Sequence, residues 1–212
     1  VEIVCPDHPL IADLLSRLRD KHTPPHRFRE AIRKLSVLLF YEASRDLSTK
    51  TVPLNTPLVG TQGRQITSHL GLVPILRAGL GMADGILQML PEAQVWHLGL
   101  YRDEQTLEAI SYYNKLSGAE PVEVAVVLDP MIATGGTAVR TVQTLKEWGV
   151  QRIKLLGILA SQVGLKRLEE AFPHLQVYVC AVDPILDENG YIVPGLGDAG
   201  DRQFGTGWGK EV

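Results

Sequence analysis

The residues best suited to chemistry lie in one stretch, Asp129-Pro130-Met131-Ile132-Ala133-Thr134-Gly135-Gly136-Thr137. It follows the apolar run Val124 to Leu128 and precedes the helix-like run Ala138 to Trp148. An acid at the end of a buried strand, then a small-residue loop entering a helix, is an anion-binding arrangement. The first turn of a helix offers unpartnered backbone N–H groups and a partial positive charge, and glycine lets an anion come close to them. Thr134 and Thr137 add hydroxyl donors, giving a cup sized for a single phosphate. There is no lysine where a nucleotide triphosphatase loop needs one, and no Gly-x-Gly-x-x-Gly for a dinucleotide. Asp129 stands where a carboxylate can accept hydrogen bonds from sugar hydroxyls. The same residues would also make a tight turn that merely caps a helix, so the loop alone does not decide between the two.

The elements that must position this loop read as an alternation. From Gly71 onward, short runs rich in Val, Ile and Leu alternate with amphipathic stretches of helical length, the pattern of a parallel sheet covered by helices. The runs Leu72–Leu76, Val95–Leu100, Val122–Leu128, Ile153–Leu159 and Val177–Val182 are expected as five strands, with helices over 79–90, 136–148 and 163–172. Before them, Leu10, Leu14 and Leu18, then Phe28, Ile32, Leu35 and Leu39, repeat at helical spacing, so two N-terminal helices are expected on either side of Pro24-Pro25. Residues 51–67 read as an irregular arm or hairpin. Two stretches break the alternation: Tyr101 to Gly118, and the tail from Asp183, which carries the hairpin signal Asn189-Gly190. Loops at the carboxyl ends of parallel strands are where such sheets bind ligands.

The bulk numbers constrain the partners. A chain of 212 residues, 45% hydrophobic and 21% charged, is expected to form a single domain spanning 1–212. A formal net charge of -3 gives no reason to expect nucleic acid or an anionic membrane as a partner. Cys5 and Cys180 read as free thiols of a reducing cytosol, and no run is long and apolar enough to cross a bilayer, so a cytoplasmic protein is expected. The six histidines never cluster at ligand spacing, so no metal ligands are assigned. There is no Gly-x-Ser-x-Gly elbow of a hydrolase.

Four separated stretches together resemble one family. Pro74-Ile75-Leu76-Arg77-Ala78-Gly79-Leu80, Leu100-Tyr101-Arg102-Asp103, Leu128-Asp129-Pro130-Met131 with Ala133-Thr134-Gly135-Gly136, and Gly190-Tyr191-Ile192-Val193-Pro194-Gly195-Leu196-Gly197-Asp198-Ala199-Gly200-Asp201-Arg202 are similar to the uracil phosphoribosyltransferases. The likeness keeps the family order over nearly the whole chain. Thr137 and Ile132 depart from the family's Ser and Leu but keep the hydroxyl and the bulk.

The resemblance implies the α/β phosphoribosyltransferase fold: a mostly parallel five-stranded sheet flanked by helices, with N-terminal helices, an arm and a C-terminal hood over about 183–207. It implies transfer of the 5-phosphoribosyl group from phosphoribosyl diphosphate, carried with magnesium, to uracil, giving UMP and diphosphate. The donor would meet Arg77, Arg102, Asp198 and the loop Asp129, Pro130, Met131, Ile132, Ala133, Thr134, Gly135, Gly136 and Thr137. Ile192, Gly197, Asp198 and Ala199 would meet uracil, and Arg77, Arg102 and Asp198 are the expected catalytic residues.

Arginine suits the departing diphosphate because its planar fork binds phosphate oxygens and stays charged, and fixed cations favour the transition state as negative charge grows there. Uracil, with two carbonyls flanking an N–H, can be read by folded backbone that leaves cytosine's groups unpaired. The polar stretch Asp103 to Lys115, with Tyr112 and Tyr113, is expected to close as a lid against water. The family also implies a homodimer or larger homo-oligomer with the N-terminal helices as contact surfaces. In some members it implies activation by GTP, for which Arg27, Arg29, Arg33 and Lys34 are the first place to look.

Other readings keep the fold: a nucleotide sensor that binds RNA, a transferase for a purine or orotate, or a nucleotide-binding module without turnover. An RNA binder calls for a basic surface, and orotate calls for a cation in the base pocket, where Arg202 is the nearby candidate.

Overall fold

The structure, a computed structural model, describes the backbone of residues 1–102, 109–114, 116 and 120–206, and side chains for residues 1–99, 116 and 120–206. A short strand β1 (Glu2–Val4) precedes helices α1 (Pro9–Arg19) and α2 (Pro25–Ala43). An arm of β2 (Thr49–Asn55) and β3 (Gly60–Ile66) leads to β4 (Leu70–Pro74), α3 (Leu80–Leu87), β5 (Gln94–Val95), β6 (Leu98–Arg102) and β7 (Ala109–Asn114). Then follow β8 (Val124–Leu128), β9 (Met131–Ile132), α4 (Gly136–Trp148), β10 (Arg152–Ser161), α5 (Gln162–Ala171) and β11 (Gln176–Asp183). The tail folds into β12 (Ile185–Leu186), β13 (Ile192–Val193) and α6 (Ala199–Phe204).

The central sheet runs β1-β11-β10-β8-β4-β5, with β9 beside β10, and its pairings are parallel. β4 and β8 are buried along their whole length, as strands covered on both faces must be. Successive side chains of β8 go to opposite faces: Val124, Val126 and Leu128 meet α1, α2 and α3, while Ala125 and Val127 meet α4 and α5. The helices are therefore sorted by the pleat into two layers around the sheet.

The mostly parallel sheet agrees with the sequence reading, but its membership differs. The run Val95–Leu100 is not one strand: β5 stays in the sheet, while β6 leaves it and pairs antiparallel with β7. Trp96 and His97 make the break, with the Trp96 N–H bound to Leu72 O and the Trp96 ring edge-on to Trp148. β1 adds an edge strand that three residues of unremarkable sequence did not announce. The arm is a regular hairpin, Thr49 pairing with Ile66 and Asn55 with Gly60.

The tail is ordered by buried charge. Arg19 of α1 grips Asp183 with both amino nitrogens, at 2.8 and 2.6 Å, and Nη1 also donates to Gly195 O at 2.8 Å. Asp183 accepts the Gly195 N–H at 2.9 Å. Burial alone would raise the Asp183 pKa, but the Arg19 bonds and the Gly195 amide outweigh it and hold the carboxyl below its ordinary range. Gly195, at φ 58°, has no room for a side chain, since a Cβ would stand 1.9 Å from Ile192 O. Arg202 lies over the Phe28 ring and donates to the carbonyls of Leu18, Leu196 and Asp20. Asn189-Gly190 makes the expected turn, with Asp187 accepting from the Asn189 and Tyr191 amides.

Removing the Asp183 side chain, itself 7% exposed, takes two of the three hydrogen bonds from an Arg19 side chain that is only 26% exposed, and frees the Gly195 N–H as well. Asp183→Ala is expected to cost about 3 kcal/mol. In a chain of this size that lowers the thermal midpoint by about 6–12 °C, measurable by calorimetry, whereas Asp187→Ala on the exposed turn shifts it far less.

Candidate active site

β4 and β8 are neighbours, yet their outgoing connections part. After β4 the chain passes through α3 to β5 at one edge, and after β8 it passes through α4 to β10 on the other side. Such a reversal opens a crevice at the carboxyl ends of the two strands, where sheets of this type bind ligands. Both loops singled out from the sequence, 75–79 and 129–137, leave the sheet at this crevice.

The first loop is tied to the second strand. The Ile75 N–H donates to Leu128 O at 3.0 Å, the residue before Asp129. Gly79 closes the turn with its N–H on Ile75 O at 2.9 Å. A Cβ there would stand 2.3 Å from Leu128 O, so only glycine allows this approach. The Leu76–Arg77 peptide bond is cis. The Arg77 side chain is more than half exposed and reaches Asp201 of α6 at 3.1 Å.

The second loop prepares a bare helix start. Gly135, at φ 74°, caps α4 without a side-chain hydrogen bond, and no acidic residue stands in the first turn. The amides at the start of α4 precede the first intrahelical bond, Val139 N–H to Gly135 O, and have no partner within the helix, the kind of helix start that can receive an anion. The loop is held from behind by α5. The Ser161 hydroxyl donates to Ala133 O at 2.5 Å and accepts the Gly164 N–H at 2.9 Å, and a Cβ on Gly135 would stand 2.7 Å from Gly164 O. Met131 and Ile132 form β9 against Leu159 and Ala160 of β10, so the middle of the loop is fastened to the sheet. Pro130 O accepts from the Ile158 and Leu159 amides.

Asp129 sits between these two loops. Burial pushes its carboxyl up to about 7, partly offset by the Met131 N–H at 3.3 Å. The group is thus poised between neutral and charged near neutral pH, and additional donors would draw it to the charged form.

The tail supplies the third wall. Asp198 caps α6, its Oδ1 accepting the Asp201 N–H at 2.8 Å. A Cβ on Gly200 would stand 3.2 Å from Asp198 Oδ1 and 3.8 Å from Arg77 Nη2, which measures how closely the tail meets the Arg77 loop. Gly197 is exposed at φ 76°, whereas Ile192 and Ala199 are buried. The structure thus brings Arg77, Asp198, Gly197 and Ala199 together at one side of the crevice and Asp129 to Thr137 at the other.

Arg102 ends β6, its backbone paired with Ala109, and Leu98 at the start of that strand bridges to Ile75 of the Arg77 loop. The Arg102 side chain lies outside the described residues, as do 103–108 and 115 of the expected lid; residues 109–114 of that stretch form β7.

Three residues at the site were given no role from the sequence, although Asp201 lies within the Gly190 to Arg202 stretch. Asp201 accepts from Arg77 and, at 2.5 Å, from the Thr206 hydroxyl. Gln203 is fully buried behind the Arg77 loop. Arg167 of α5 lays a guanidinium nitrogen 3.1 Å from the point where a Gly136 Cβ would be, beside a loop with no cation of its own. Only tertiary packing brings them there. Arg202, conversely, is spent on three backbone carbonyls and supplies no free cation for an orotate carboxylate.

Comparison with known proteins agrees with this geometry. The family model described as uracil phosphoribosyltransferase matches residues 5–206. A protein named uracil phosphoribosyltransferase from Roseiflexus castenholzii is 52% identical over 97% of this chain and 99% of its own. A solved structure of the AQ2163 protein from Aquifex aeolicus is 36% identical, covering 95% of this chain and 97% of its own, with a TM-score of 0.89. The adenine phosphoribosyl transferase of Trypanosoma brucei, at 15% identity and TM-score 0.57 over 91% of this chain and 85% of its own, shares the fold alone. Sequence and architecture agree: the chain belongs to the uracil phosphoribosyltransferase family.

Proposed function

We propose that the protein transfers the 5-phosphoribosyl group from phosphoribosyl diphosphate to uracil, giving UMP and diphosphate. The observation that carries this reading is the crevice between β4 and β8, with an uncapped helix start on one side and an exposed arginine under a glycine-rich tail on the other. The amides from Gly136 onward and the hydroxyls of Thr134 and Thr137 receive the 5-phosphate, while Asp129 accepts from the ribose hydroxyls. Arg77, joined by Arg102 from β6, draws the diphosphate as its bond to the sugar breaks. Backbone around Ile192, Gly197 and Ala199 reads the two carbonyls and the N–H of uracil, and Asp198 orients donor and base together.

No side chain needs to act as a nucleophile; catalysis rests on positioning and on fixed charge at the leaving group. Magnesium enters as part of the substrate. Its oxygen ligands would come mainly from the diphosphate and water.

The whole chain works as one domain in this reading, since the N-terminal helices, sheet and tail share one buried core. It works as a homodimer or larger assembly; Leu58 and Val59 at the tip of the arm, 94% and 66% exposed, support a contact there in addition to the N-terminal helices. Activation by GTP is the outermost part of the reading. Arg27 and Lys34 are paired with Glu30, Arg33 with Asp84, and Arg29 donates to Gln203 O, so a nucleotide would have to displace those partners. No described helix is long and apolar enough to cross a membrane.

The deciding experiment mixes the protein with phosphoribosyl diphosphate, magnesium and each free base in turn. UMP and diphosphate are expected with uracil and not with cytosine; turnover with a purine in place of uracil, or RNA binding without turnover, overturns the assignment. Arg77→Gln is expected to lower kcat by about 10²–10³-fold, because the lost charge acts most as the diphosphate departs, and unchanged kcat would exclude it from that role.

Asp129 gives a pH signature. Its folded pKa is raised, so the neutral acid is favoured and the free protein loses stability as pH climbs toward about 7. Ribose hydroxyls favour the carboxylate, so donor affinity should strengthen as pH rises from 6 to 8, with proton release measurable by calorimetry in buffers of different ionisation enthalpy. Asp129→Asn should bind more weakly and lose that part of the pH dependence; a variant with the wild-type slope would show that the titration belongs to the donor's own phosphates.

A further inference from the structure

We propose that Gln203 is a positioning residue that couples the two halves of the active site, holding the Arg77 loop and the base-reading tail in one register. The inference rests on the function proposed above and extends it. The side-chain amide nitrogen of Gln203 has two protons, and it spends them on two carbonyls: Ala78 O at 2.9 Å and Ala199 O at 3.1 Å. Ala78 follows Arg77, on the diphosphate side, and Ala199 follows Asp198, on the base side. Its own backbone carbonyl accepts from Arg29 of α2, so the residue joins the tail, the loop and the helical layer at one point.

Two observations mark this as more than packing. Gln203 is fully buried, and its Oε1 has no hydrogen-bond partner among the described residues. That oxygen fills the notch at Gly81, where a Cβ would stand 2.0 Å from it. A methionine or leucine would fill the same notch without burying an orphaned acceptor, so the donors are what distinguish the amide here. Second, the other side-chain tie between loop and tail is the Arg77–Asp201 pair, and it is exposed on both sides. When Arg77 turns to the diphosphate that pair is given up, whereas the buried Gln203 link to Ala78 O stays in place between the two walls.

A link of this kind makes the half-sites feel each other: diphosphate ordering the Arg77 loop also orders the tail that reads the base, and by linkage the effect is mutual. Calorimetry of the full chain, titrating uracil with and without saturating magnesium diphosphate, reads it directly without turnover. In the wild type, diphosphate should tighten uracil binding by about 5-fold or more. In Gln203→Met and Gln203→Leu that ratio should fall to within about 2-fold of one, with kcat reduced about 10-fold and the thermal midpoint within about 5 °C of wild type.

The proposal is overturned if either variant keeps the wild-type ratio, if the wild type itself has none, or if both variants melt more than about 10 °C lower, which would make the amide a structural strut. A wild-type protein that forms no UMP overturns the parent reading instead, and that control is run first.

Discussion

Everything in this molecule follows from two short strands, Leu70–Pro74 and Val124–Leu128, lying side by side while their onward connections diverge. Both are apolar on both faces, so the sheet must be roofed by helices above and below. The divergence leaves a gap at their carboxyl ends that no connection fills. Into that gap the chain delivers an uncapped helix start from one strand and a cationic turn from the other, fixed to each other by the bond from the Ile75 amide to Leu128 O. Had α3 and α4 run the same way, the two loops would have met helix rather than each other.

The second constraint is electrostatic economy. A protein with a net charge of -3 that is to hold a strongly anionic donor can do so only by local fields. Several of its cations are committed elsewhere: Arg19 to Asp183, Arg202 to carbonyls, Arg27 and Lys34 to Glu30. The 129–137 loop has no cation in its sequence and presents oriented amides, which carry no net charge and need no counter-ion. Asp129 begins that loop with its pKa raised to about 7 by burial, so in the free protein it adds less negative charge there than an ordinary carboxylate would.

How much of this was legible in the sequence depends on the range of the interaction. The helix at 136–148 could be read because its limits are local: two glycines, Gly135 and Gly149, take positive φ at its ends, and Val142 and Leu145 recur at helical spacing. The sheet could be read from its doubly buried runs. The break at Trp96 could not, because whether an apolar run stays in one sheet is decided by what packs on it, here Trp148 from α4. Nor could β1, whose pairing partner lies about 170 residues away at Gln176–Tyr178. At the site, Arg77 and the 129–137 loop stood out through motif and residue type. Gln203 did not, since its meaning comes from a notch at Gly81 and a carbonyl at Ala78, both on the far side of the chain.

The way Arg202 is used bears on how such a protein can change over time. Its guanidinium holds Leu18, Leu196 and Asp20 by their main-chain oxygens, which every amino acid possesses. Substitutions at those three positions leave the acceptors intact, so mutational drift in the first helix does not by itself loosen the tail. A scaffold attached in this manner can accumulate side-chain variety while the frame of the tail keeps its shape.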